Sequence, residues 1–174
     1  MKGLIHIYTG DGKGKTTASI GLIIRALGYD KKILFIQMQK AIPSGEINVL
    51  LKNNSIDVLR CSKIKKFLWD MSEQEKREYV RQHEQGFQDA LRKIGENNYD
   101  LVVFDEIIGA VNENALNKNE LLDFLHEKPE NLEVVLTGRN ASEDLIEIAD
   151  YVSEIKCIKH PFEKGVQARK GVEY

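Results

Sequence analysis

Residues 4–27, LIHIYTGDGKGKTTASIGLIIRAL, constrain the fold of this chain more than any other stretch. An apolar run, Leu4–Tyr8, leads into glycines at alternate positions, Gly10, Gly12 and Gly14, and Lys15 and Thr16 follow at once. From Thr17 to Leu27 the residues are mostly small or aliphatic and end at Gly28, a helix pattern with a glycine stop. A strand that turns through glycines into a helix is the context of a phosphate-binding loop, usually spelled G-x-x-x-x-G-K-[ST]. Gly14-Lys15-Thr16 supplies the right-hand end, but the place five residues upstream is Thr9, and Gly10 comes one position late. The loop is therefore one residue shorter than the common form.

The remaining pattern extends the same architecture. Ile33–Gln37, Leu101–Phe104 and Glu133–Gly138 are nearly continuous in apolar residues, as strands buried on both faces of a parallel sheet should be. IDVLRC and YVSEIKCI are weaker strand candidates. Helices are predicted over Lys15–Leu27, Ser72–Gly95, Lys118–His126 and Ser142–Ala149. Ser72 with Glu75 three residues on spells a capping box, and Tyr79, Val80, Phe87, Ala90, Leu91 and Ile94 form one apolar stripe. His83 lies on that stripe and reads as a core histidine. Strands alternating with helices predict a three-layer α/β/α fold with a mainly parallel sheet, and with the phosphate-type loop the expected fold is a P-loop nucleotide-binding one, RecA-like in kind. Without a repeat, a low-complexity tract or a Pro/Gly/Ser linker, residues 1–174 read as a single domain.

The loop chemistry can be stated residue by residue. Glycines 10, 12 and 14 let backbone N–H groups converge on an anion, and the helix start at Lys15 adds its partial positive charge. Lys15 would contact phosphate oxygens with Lys13 as a second cation, and the Thr16 hydroxyl would ligate Mg²⁺. LVVFDE places Asp105 and Glu106 at a strand's C-terminal end, where such sites hold the metal's carboxylate; spacing does not choose between them. The blander readings are a glycine-rich turn and a solvated strand end. A net charge of −2 gives no pull toward nucleic acid or a membrane surface. The opening apolar run is too short for a signal peptide, and no later stretch could span a bilayer. Cys61 and Cys157 stand apart, as thiols in a reducing compartment would, so a cytoplasmic location is expected.

With these pieces in place, the sequence resembles the P-loop type of ATP:corrinoid adenosyltransferase. The matching segments are YTGDGKGKTTAS, FDE at 104–106, VVLTGRNA at 134–141, ADYVSE at 149–154 and KHPFEKGVQARKGVEY at the C-terminus. They run from end to end in the right order, and in this family the short loop is the normal form. The resemblance implies transfer of the 5′-deoxyadenosyl group of ATP to the cobalt of a reduced Co(I) corrinoid such as cobalamin, with triphosphate released. Cobalt is the nucleophile, so no catalytic nucleophile is expected from the protein, and Lys13 and Lys15 would stabilise the leaving triphosphate. ATP would lie reversed in the loop relative to other P-loop proteins.

The resemblance also assigns residues. Thr9, Gly10, Asp11, Gly12, Lys13, Gly14, Lys15, Thr16, Thr17 and Arg25 would bind ATP, and Thr16 with Glu106, Asp105 beside it, would hold Mg²⁺ or alternatively Mn²⁺. Phe67 and Trp69 would displace the lower axial ligand of the corrinoid and ease its reduction. Without the resemblance, a Phe and a Trp two apart before a helix cap read as core anchors. Lys159, His160 and Phe162 would form a lid, and Arg139 reads equally as a structural or a phosphate-binding residue. An electron donor such as a flavoprotein and a homodimer are further expectations. The family's better-known members carry an N-terminal extension over the site, and this sequence opens almost at its first strand. Departures from the family pattern at Lys40-Ala41, Leu68 and DMSEQ lie around the corrinoid, not the ATP loop. The competing functions are a conventional nucleotide kinase or ATPase, for which the short loop is unsuited, and a non-catalytic ATP- or corrinoid-binding regulator.

Overall fold

Six parallel strands make one sheet: β1 (Ile5–Thr9), β2 (Ile33–Gln37), β3 (Ile56–Arg60), β4 (Leu101–Asp105), β5 (Glu133–Thr137) and β6 (Tyr151–Glu154), in the order β3-β2-β4-β5-β1-β6. The computed structural model describes residues 2–39, 44–62, 66 and 68–173. The helices between the strands are α1 (Lys15–Leu27), α2 (Gly45–Leu50), α3 (Glu73–Glu96), α4 (Ile107–Asn112), α5 (Lys118–Glu127) and α6 (Glu143–Ile148). The parallel three-layer α/β fold expected from the strand–helix alternation is present, and both weaker strand candidates are strands.

The continuous apolar strands are explained by burial on two sides. Successive side chains point to opposite faces, so Val102 and Phe104 enter one core while Leu101 and Val103 enter the other. The larger core takes Tyr79, Phe87, Ala90 and Ile94 from α3, Ile107, Ile108 and Ala110 from α4, Leu121 and Leu125 from α5, and Leu145 from α6. The smaller takes Ile23 from α1 and Ile47 and Leu50 from α2. The apolar stripe read on α3 is therefore its core face. At its start, the Ser72 hydroxyl accepts from the Glu75 N–H at 3.3 Å, and the Glu75 carboxylate accepts from the Ser72 N–H at 2.8 Å. His83 is fully buried against the Tyr79 ring, with Nδ1 2.8 Å from the Tyr79 carbonyl. Burial holds its imidazole below the usual pKa.

Two details differ from the sequence reading. Gly28 caps α1 but keeps a right-handed conformation (φ −63°), and Asp30, at φ 57°, makes the left-handed turn. The helices α2 and α4 were not anticipated: GEINVL and IIGAVN are too short to establish a 3.6-residue period, and IIGAVN alone looks like a strand.

Strand order is what builds the site. β5 lies between β1 and β4, so the loop after β1 and the acidic end of β4 are not on adjacent strands. The register pairs Tyr8 with Thr137 and Phe104 with Leu136, and the next rung sets Asp105 beside Thr137. Phe87 ties α3 to this region by stacking near Phe104 and Phe124, with centroids 5.9 and 6.3 Å away. Phe87→Ala should lower unfolding free energy by about 3–5 kcal/mol in a denaturant titration, the range for emptying a fully buried aromatic site.

Candidate nucleotide site

The loop from Gly10 to Gly14 is shaped by two left-handed glycines, Gly10 at φ 97° and Gly14 at φ 125°. A side chain at Gly10 would also strike the Ile155 carbonyl at 2.5 Å. Gly12 serves differently from the reading of its sequence. Its φ is not positive, and its N–H donates to the Ile155 carbonyl at 2.7 Å rather than opening toward an anion. The segment after β6 is thus the floor on which the short loop rests.

Lys15 begins α1 with its side chain buried, and its ammonium donates to the carbonyls of Gly10 at 2.7 Å and Gly12 at 2.9 Å. Burial lowers its pKa from the usual value; the Glu106 carboxylate opposes that shift and Arg139 adds to it. One residue on, the Thr16 hydroxyl donates to Asp105 Oδ1 at 2.7 Å. Asp105 is fully buried, whereas Glu106 lines a cleft of about 780 Å³ that opens above the loop. Geometry therefore separates the two acids that spacing left equivalent: Asp105 stands behind Thr16, and Glu106 faces the cleft.

The cleft wall collects Asp11, Gly12, Lys13, Gly14, Lys15, Thr16 and Thr17 from the loop, as expected. It also contains residues that the sequence reading did not assign to the site, among them Glu46 at the start of α2, Cys157 and Glu173. Arg139, left ambiguous by sequence, lines it too. Glu173 lies in the C-terminal block that carries the resemblance, but neither it nor Glu46 has a local pattern that assigns it a role, so the fold is what places them here. Three cations, Lys13, Lys15 and Arg139, face four carboxylates, Asp11, Glu46, Glu106 and Glu173. Among the described residues of the wall, carboxylates outnumber the lysine and arginine cations by one. The oxygens at Thr16, Asp105 and Glu106 are hard donors of the kind Mg²⁺ takes, so the residues present fit that ion. Among the described residues, no group of three or more His, Cys, Asp or Glu forms a protein-only metal cage. That pattern is normal for Mg²⁺ held partly by substrate phosphates.

Other expected site residues lie elsewhere. Thr9 is buried, and its hydroxyl accepts from the Ala141 N–H at 3.2 Å, joining β1 to the segment after β5. Arg25 sits in the last turn of α1, about 15 Å along the helix from Lys15, and is not on the cleft wall. Of the three lid residues, His160 and Phe162 reach the cleft and Lys159 does not. Trp69 lies in a short 3-10 turn (Leu68–Asp70), 78% exposed and away from the cleft wall. Phe67 lies outside the described residues.

Comparison with known proteins points to one family. Residues 1–174 match the family described as ATP:corrinoid adenosyltransferase BtuR/CobO/CobP. The chain belongs to that family. It is 35% identical to a corrinoid adenosyltransferase of Escherichia coli K12, over 99% of this chain and 86% of that protein. It is 39% identical to a corrinoid adenosyltransferase of a Sinorhizobium species, over 99% and 81% respectively. Among solved structures, a KaiC-like protein from Pyrococcus horikoshii superposes with a TM-score of 0.51 at 14% identity, covering 98% of this chain and 76% of that one. ATPases 2 and 3 of EssC from Geobacillus thermodenitrificans superpose at 0.55 and 12% identity, covering 97% and 35%. At such identities these structures show a shared α/β fold alone.

The C-terminal segment enters the cleft directly. Lys13 Nζ donates to the Val172 carbonyl at 3.0 Å and lies 3.5 Å from the Glu173 carboxylate. Arg169 hydrogen bonds hold the Glu173 carboxyl down at about 2, so it stays ionised and competes for Lys13. Glu173→Gln should tighten binding of inorganic triphosphate roughly two- to five-fold at low salt, as removal of one exposed ion pair predicts. Isothermal titration calorimetry measures it, and the gain should shrink as salt is raised.

Proposed function

We propose that this protein transfers the 5′-deoxyadenosyl group of ATP to the cobalt of a Co(I) corrinoid. The observation that carries the reading is a cleft of about 780 Å³ on a shortened phosphate loop in a chain that matches the adenosyltransferase family throughout. The cobalt electron pair forms the bond to C5′, the C5′–oxygen bond breaks, and triphosphate leaves with that bonding pair. The charge that grows is on triphosphate, so the protein's task is electrostatic. Lys13 and Lys15 lie on the cleft wall, and Arg139 adds a third cation. Thr16 and Glu106 would hold Mg²⁺, or Mn²⁺, with Asp105 fixing the Thr16 hydroxyl from behind. The metal would supply further charge neutralisation on the phosphates.

Trp69, with Phe67, is assigned to the corrinoid face, where aromatic rings would exclude the lower axial ligand before reduction. The 78% exposure of Trp69 supports this over a core role, because a core anchor would be covered. His160 and Phe162 line the cleft on the side of the C-terminal segment, and they would serve as its lid. The cobalt electron comes from an external donor such as a flavoprotein, and the active form is a homodimer. The free thiols Cys61 and Cys157 suit the cytoplasm, and no helix among the described residues is long and apolar enough to cross a membrane.

The test is a reaction of the protein with ATP, Mg²⁺ and chemically reduced cob(I)alamin, followed by absorbance before and after illumination. A light-sensitive cobalt–carbon bond should appear; binding of both ligands without it would instead identify a regulator. Trp69→Ala sharpens the assignment. It should cost at least roughly tenfold in rate when cob(II)alamin and a reductant are supplied, and much less with pre-reduced cob(I)alamin. Equal losses would reduce Trp69 to a structural part.

A further inference from the structure

The last residue of β5 has no part in the reaction as described above, yet it touches both acids of the site. Thr137 is fully buried between the phosphate-loop strand and the acid-bearing strand. Its hydroxyl accepts from the Glu106 N–H at 2.9 Å and donates to Asp105 Oδ1 at 2.9 Å. A hydroxyl has a single proton, so donating to Asp105 fixes its direction and leaves a lone pair for Glu106. Asp105 Oδ1 receives the Thr16 hydroxyl as well.

Glu106 is unusual in its own backbone. At φ 61° and ψ 25° it occupies the left-handed region, where a residue with a long side chain rarely sits. Such outliers persist only where their surroundings hold them, and they concentrate at functional sites. The holding contacts here come from the end of β5. Thr137 takes the Glu106 N–H, and the next residue, Gly138 at φ 147°, packs so closely on α4 that a Cβ would lie 2.7 Å from that of Ile108. Glu106 thereby leaves β4 and starts α4 with its side chain directed to the cleft wall.

We propose that Thr137 is a positioning residue that sets both acids for the metal. It locks Glu106 in the left-handed turn that aims its carboxylate at the cleft, and it orients Asp105 toward Thr16. This rests on the reading that Thr16 and Glu106 hold Mg²⁺. Valine at 137 would keep the volume but leave the Glu106 N–H without this acceptor and Asp105 without this donor. Serine would keep both bonds.

The experiment is ATP binding measured by calorimetry over a series of Mg²⁺ concentrations, without corrinoid, for wild type, Thr137→Val and Thr137→Ser. Wild-type affinity should rise with Mg²⁺. Thr137→Val should need about 10–100-fold more Mg²⁺ for the same gain, the usual loss when a residue that orients metal ligands is removed. Its affinity in EDTA should be near wild type, and Thr137→Ser should follow the wild-type curve. An unchanged Mg²⁺ midpoint in Thr137→Val, or a serine variant shifted as far as the valine one, would overturn the proposal. Wild-type binding indifferent to Mg²⁺ would instead sink the metal reading, and this proposal with it. Should Thr137→Val fail to fold, Thr137→Ala is the second hydroxyl-free variant and faces the same criteria.

Discussion

One buried carboxylate oxygen, Asp105 Oδ1, holds the site together. It accepts hydroxyls from Thr16 at the start of α1 and from Thr137 at the end of β5. A carboxylate taken out of water is costly unless hydrogen bonds replace its hydration. Two hydroxyl donors from different elements meet part of that demand, and they bind the phosphate loop to strands that are not its sequence neighbours. The insertion of β5 between β1 and β4 makes this possible, since it brings Thr137 level with Asp105. Sheet order, rather than any contact within the loop, sets the distance between loop and acids.

The electrostatics of the cleft follow from the same arrangement. Lys15 is turned inward onto the loop's own carbonyls, and Lys13 is engaged by the C-terminal segment. An arriving triphosphate competes with those internal acceptors for the same cations. The carboxylates Asp11, Glu46, Glu106 and Glu173 on the same wall temper its positive charge.

Much of this was legible in the chain. Buried parallel strands, the α3 capping box, the loop and the acidic strand end each have a local pattern, because each follows from a period or a short-range bond. What was not legible depends on distant pairings. Gly12 looks like its glycine neighbours, but its partner, Ile155, lies more than a hundred residues away. Asp105 and Glu106 are adjacent in sequence and separate only when the backbone turns left-handed at Glu106. Thr9 and Arg25 carry suitable chemistry, yet Thr9 is used to join β1 to Ala141, and helix length carries Arg25 away from the cleft. Thr137 and Glu173 fall inside segments that carry the resemblance, VVLTGRNA and KHPFEKGVQARKGVEY, but no local pattern gives them or Glu46 a role, and strand order and chain return brought them to the site.

The central claim is that ATP is broken at C5′ and its three phosphates leave together. ³¹P NMR of the reaction with Mg²⁺ and cob(I)alamin tests this most directly. Intact triphosphate should form in step with the cobalt–carbon product. ADP with free phosphate, or a phosphorylated acceptor, would contradict it and return the protein to the conventional P-loop kinases and ATPases.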